Sequence, residues 1–153
     1  DLDSKPQINS IKMITFKYNL FFLTFLVFSL GFSQRGETGD KTFADKFPPD
    51  VIYEISTATL LIRNTVDHDI IVCIRDQYKK YLNHVYIRNN DEFLFTGIPI
   101  TRLYVQYKSR EFYFEDKEQT VINFGERHTF DFFFDASKDG NFIEITQEEF
   151  LKP

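Results

Sequence analysis

From Val51 onward, apolar and polar residues alternate with period two in short runs, the signature of strands with one face toward a core. Nine such runs stand out: Thr57 to Arg63, Asp69 to Arg75, His84 to Arg88, Glu92 to Phe95, Leu103 to Lys108, Glu111 to Phe114, Thr120 to Phe124, Thr129 to Phe134 and Asn141 to Thr146. Turn-forming residues separate them at Asn64, Asn89-Asn90-Asp91, Gly97 with Pro99, Gly125 and Asp139-Gly140. No stretch carries a long amphipathic helical pattern, and only Glu148 to Leu151 is expected to add a terminal helical turn. The expected fold is therefore all-β, a single antiparallel β-sandwich of seven to nine short strands over residues 51–153. The runs on either side of Thr65-Val66-Asp67-His68-Asp69 are expected to pair as the first hairpin.

The pattern upstream is different. Asn19 to Gln34 carries no charge, its apolar stretch runs from Leu20 to Phe32, and Lys12 and Lys17 precede it. A basic start followed by an apolar run shorter than the roughly 20 residues of a spanning helix describes a secretory signal peptide. Gly31 and Ser33 supply the small residues before a cut at Ser33-Gln34. Residues 1–33 are read as this leader with residues ahead of it, Met13 being the expected start. The alternative is an uncleaved membrane anchor; cleavage would leave no transmembrane segment in the mature chain. Arg35 to Asp50 is polar, with two glycines and Pro48-Pro49, so 34–50 reads as a flexible stalk. The expected destination is the periplasm or the cell exterior.

Charge narrows the function. Setting aside residues 1–33 removes Lys5, Lys12, Lys17, Asp1 and Asp3 and leaves fifteen basic against twenty-one acidic residues, a net charge of −6. Affinity for nucleic acid rests on basic residues neutralising phosphates, and this balance excludes it as the expected partner. The single cysteine, Cys73, cannot form an internal disulfide, so the core must hold the fold without a staple. Much of that core is aromatic: beyond residue 33 the chain keeps 13 of its 19 Phe and 7 of its 8 Tyr.

Val66 to Asp76, VDHDIIVCIRD, gathers three aspartates, His68 and Cys73. Five steps along a strand put His68 and Cys73 about 16 Å apart on opposite faces, which rules out a local nucleophile and base pair. Cys73, between Val72 and Ile74, reads as a half-buried structural thiol, with pairing between chains as the alternative. Asp67, His68 and Asp69 read as a turn. A zinc site could draw on His68 with His84 or His128, but nothing in their spacing demands it, and three isolated histidines on a β chain read as surface or turn residues.

Asp135, Ser137, Asp139 and Gly140 match positions 1, 3, 5 and 6 of a calcium loop, and Phe142 matches position 8, but position 12 is Thr146 in place of a bidentate Glu. A hairpin turning at Asp139-Gly140 is the competing expectation. In FDFFFD, Phe130, Phe132 and Phe134 share a face, and Asp131 and Asp135 guard an aggregation-prone strand. Glu115-Asp116 and Glu148-Glu149 are placed at the surface. No catalytic motif is present, no cofactor is expected, and an enzyme is not the expected class. Tyr78 and Tyr81, flanking Lys79-Lys80 in an expected loop, are the binding candidates, whereas Tyr104 and Tyr107 are assigned to the core.

Asp91 to Ser109, DEFLFTGIPITRLYVQYKS, resembles the transthyretin-like sandwiches related to carboxypeptidase regulatory domains, through Phe93, Phe95, Ile98, Pro99 and Tyr104, with Thr101 where a glycine is usual. The resemblance implies an accessory module without a catalytic centre. The expected function is an exported, non-catalytic module that binds an envelope or secreted protein or plays a structural role in the cell envelope, with a carbohydrate-binding accessory module (a glycan partner) as the alternative.

Overall fold

The computed structural model describes residues 35–132 and 141–153, and the leader expected over 1–33 lies outside them. The nine alternating runs all become strands: β1 (Thr59–Asn64), β2 (Ile70–Arg75), β3 (Tyr81–Ile87), β4 (Asp91–Phe95), β5 (Arg102–Ser109), β6 (Phe112–Asp116), β7 (Thr120–Val121), β8 (Arg127–Phe132) and β9 (Phe142–Ile145), followed by one helix, α1 (Gln147–Leu151). They form a three-stranded sheet of order β4-β1-β8 and a larger sheet of order β3-β2-β5-β6-β9, in which β7 also pairs with β5.

Alternation explains how the sheets meet. Leu60 and Ile62 of β1, Phe95 of β4 and Phe132 of β8 face Ile70, Val72 and Ile74 of β2, Val85 and Ile87 of β3, and Leu103 and Val105 of β5 across one apolar core. Three expectations are corrected by the topology. β1 and β2 lie in different sheets and do not form a hairpin, and the same holds for β8 and β9. The sandwich is not wholly antiparallel, because β8 runs parallel to β1, with Thr59 opposite Arg127 and Asn64 opposite Phe132. The chain leaves β1, passes through the large sheet and re-enters the small one from the end where β1 began; such a long crossover is what parallel pairing requires.

β2 is buried along its whole length. Its second face, with Ile71, Cys73 and Arg75, is covered by Phe43 and Phe47 from the N-terminal segment and by Phe150 from α1. The helix starts at Thr146, whose hydroxyl accepts from Glu149 N (3.1 Å) while the Glu149 carboxylate accepts from Thr146 N (2.8 Å), a reciprocal capping box. Five residues are too few to hold a helix alone, and docking Phe150 stabilises it by about 1.5–3 kcal/mol.

The stalk expected over 34–50 is corrected as well, since residues 36–50 lie on the large sheet as a strap. Gly39 N donates to Tyr86 O (2.9 Å), Tyr86 N to Asp40 O (2.9 Å) and Val51 N to Leu82 O (2.8 Å), which satisfies the free edge of β3. Phe43 and Phe47 sit one helical turn apart, Phe47 N donating to Phe43 O (3.1 Å), so both rings face the sheet although polar residues surround them in sequence.

Candidate functional site

Strand register defines two ends of the sandwich. At one, called the apex here, β1, β3, β5 and β8 begin and β2 and β4 end. Three crossings between the sheets meet there, residues 51–58, 96–101 and 122–126, beside the β2–β3 turn at 76–80. Loops of this length need their backbone groups satisfied to hold one shape. Tyr53 N donates to Gly97 O (2.8 Å), Ser56 Oγ to Ile98 O (2.6 Å), Ile122 N to Thr101 O (2.9 Å) and Thr59 N to Glu126 O (2.9 Å). Gly97 has φ of 60° and packs so closely that an added Cβ would meet Ile52 Cγ2 at 2.8 Å. Only glycine meets both demands.

The apex loops anchor inward and present apolar side chains outward. Ile98 and Ile122 are buried in the core, while Ile100 and Phe124, two residues further along each loop, are exposed. Among the described residues ten large apolar side chains are exposed, and seven of them stand at this end: Ile52, Tyr53, Ile55, Tyr78, Ile100, Val121 and Phe124. Ile55 is 96% exposed and Phe124 80% exposed, more than incidental surface apolarity requires. Glu54, Arg102, Glu126 and Arg127 bring charges of both signs to the same loops. Hydrogen-bonded loops with an apolar face and a mixed rim provide contact area.

Tyr78 belongs to this surface, at 81% exposed. The Asp76 carboxylate accepts from Tyr78 N (2.8 Å) and Lys80 N (2.9 Å) and holds the tip of the turn. Tyr81 does not belong to it. Its ring is buried, stacked on Phe47 at 4.7 Å, because β3 begins three residues earlier than its alternation predicts and carries an irregularity opposite Ile74 and Arg75. Tyr107 packs on Phe114 and Phe132 in the core, and burial pushes its hydroxyl up to about 12. Tyr104 is half-buried beneath Lys79 Nζ, 4.8 Å from the ring centre.

The remaining candidates are dispersed. Cys73 is fully buried, beyond the half-buried setting expected, and burial pushes its thiol up to about 12 against the opposing pull of Arg75 and Lys41. His68 binds Asp67 Oδ1 (2.6 Å) and Ser109 Oγ (2.5 Å) at the opposite end of the sandwich, and His128 stands 3.7 Å from Glu126. Among the described residues no three metal-ligating side chains converge. Asp135, Ser137 and Asp139 lie outside the described residues. Glu115, expected at the surface, is buried: it accepts from Lys79 Nζ (2.8 Å) and Gln106 Nε2 (2.8 Å), and Gln106 Oε1 in turn accepts from Arg75 Nε (2.7 Å). Arg75 completes this network by donating to the carbonyls of Lys79, Phe150 and Lys152, which ties α1 to the sheet.

Apart from Tyr78, the apex escaped sequence reasoning because most of its apolar residues sit in loops, where alternation has no meaning. The available signal was apolar residues crowded around turn formers, in VIYEI, GIPI and VINFG. Comparison with known proteins adds no constraint: no family model, curated protein or solved structure matches the chain. Among the described residues no helix is long and apolar enough to cross a membrane.

Proposed function

We propose that this chain is an exported, non-catalytic β-sandwich module that binds a protein of the cell envelope or exterior through its apex loops. One observation carries the binding reading: exposed apolar side chains concentrate at the end where four rigid connections meet. Such patches, rimmed by polar residues, mark protein interfaces, and anchors of this kind contribute most of the binding energy. The leader-like residues 1–33 support export. A sugar site needs two or three aromatic rings coplanar on one exposed face; the apex carries Tyr53, Tyr78 and Phe124, and the exposed aliphatic side chains Ile52, Ile55, Ile100 and Val121 that share it favour a protein over a glycan.

The test is crosslinked capture with tagged full-length chain in the source cell, run beside the double variant Ile55→Ser, Phe124→Ser. A partner recovered by the parent and lost by the variant, each anchor being worth about 2 kcal/mol or more, supports the reading. Equal recovery by both overturns it.

A further inference from the structure

We propose that residues 36–50 form an acid-released strap: protonation of His84 beneath them loosens the segment and uncovers the outer apolar face of the large sheet. This inference concerns a different surface from the apex and does not rest on the binding reading.

The geometry centres on His84, which is 2% exposed. Its ring packs at 4.5 Å against Phe47 of the strap. Lys41, also of the strap, donates through Nζ to the Asn83 side chain and to the His84 carbonyl, and pairs with Asp50 at 2.7 Å. Asp50 Oδ1 accepts from the Tyr81 hydroxyl (2.7 Å), and that hydroxyl lies 2.7 Å from His84 Nδ1. Tyrosine has one hydroxyl proton, and it goes to the carboxylate. Nδ1 must therefore carry the imidazole proton and donate to Tyr81 Oη. This leaves a lone pair on Nε2, an atom that is buried and has no hydrogen-bond partner.

A second proton on His84 would go to that atom. It would create a cation with no acceptor, under the Phe47 ring and near the Lys41 ammonium. The groups that face His84 are Lys41 and Asp50 from the strap, Tyr81 from its own strand and Cys73, its cross-strand partner on β2. Asp50 alone favours the charged form, and it is already paired with Lys41 and reached only through the Tyr81 hydroxyl. Burial acts first and Lys41 second to lower the His84 pKa from 6.5 to about 4. With the strap lifted, water solvates the imidazole and restores an ordinary value. The closed arrangement is therefore fully favoured above pH 6.5 and loses ground as pH falls toward 4. By linkage, opening becomes about 30-fold more frequent between pH 7.5 and pH 5.0.

Hydrogen exchange of the full chain, read by mass spectrometry at pH 7.5 and 5.0 and corrected for intrinsic rates, tests this. Peptides over 36–50 are expected to lose about 30-fold in protection while β5 peptides keep theirs, and His84→Gln is expected to abolish the difference. An equal change in both sets of peptides, or a pH effect that survives His84→Gln, overturns the proposal. If that variant does not fold, the wild-type His84 imidazole NMR titration decides: a midpoint well below 6.5 supports the strap, and a midpoint at or above 6.5 overturns it.

Discussion

Two apolar surfaces lie outside the central core, and the chain treats them in opposite ways. The outer face of the large sheet, with Ile71, Cys73, Tyr81 and Tyr113, is closed by Phe43, Phe47 and Phe150, brought in from the two flanks of the strand region. The apex, with Ile55, Phe124 and Tyr78, has no such cover among the described residues. Both carry enough apolar area to gain from burial, so hydrophobicity alone does not separate them. The difference lies in what surrounds each: the sheet face is flanked by segments carrying aromatic anchors at the right spacing, whereas the apex loops spend their backbone groups on one another. A surface that stays open while another is sealed with aromatic residues is the better candidate for an external partner.

Mutations that uncover the sealed face sharpen this contrast most. Phe150→Ala empties a fully buried site against Phe47 and Tyr113 and is expected to cost about 3–5 kcal/mol in urea unfolding, with no shift in the strand assignments. Tyr81→Phe comes next. It leaves the His84 Nδ1 proton without its acceptor and removes one of the two donors to Asp50, whose other partner is Lys41, for an expected loss of about 1–3 kcal/mol in the same assay. At the other end of the scale, Ile55→Ser and Phe124→Ser are each expected to change stability by less than about 0.5 kcal/mol, because their side chains already face water. A large loss there would show that the apex is held by its own side chains, and the comparison would fail.

The strands were legible because each had to bury one face, and period-two alternation records that directly. β3 was placed three residues short because Tyr81 and Leu82 are buried on consecutive positions where the strand departs from regular pairing with β2. The strap was illegible for another reason. Phe43 and Phe47 are only two apolar residues within a polar run, and two points do not make a period. Of the two binding candidates on the β2–β3 turn, Tyr78 is displayed and Tyr81 is consumed by the core, a division that depends on where the strand resumes.

By itself, the sequence determined the all-β class, the nine alternating runs with their approximate limits, and the single helical turn at the end. These follow from short-range rules of alternation and turn chemistry, whereas the Thr146–Glu149 cap of the helix is seen only in the structure. Only the tertiary structure decided that β1 and β2 belong to different sheets, that β8 lies parallel to β1, that Glu115 and Arg75 share a buried network, and that the apolar loops gather at one end. The physical reason is that strand partners are chosen by the burial of whole faces against each other, a property of distant segments acting together.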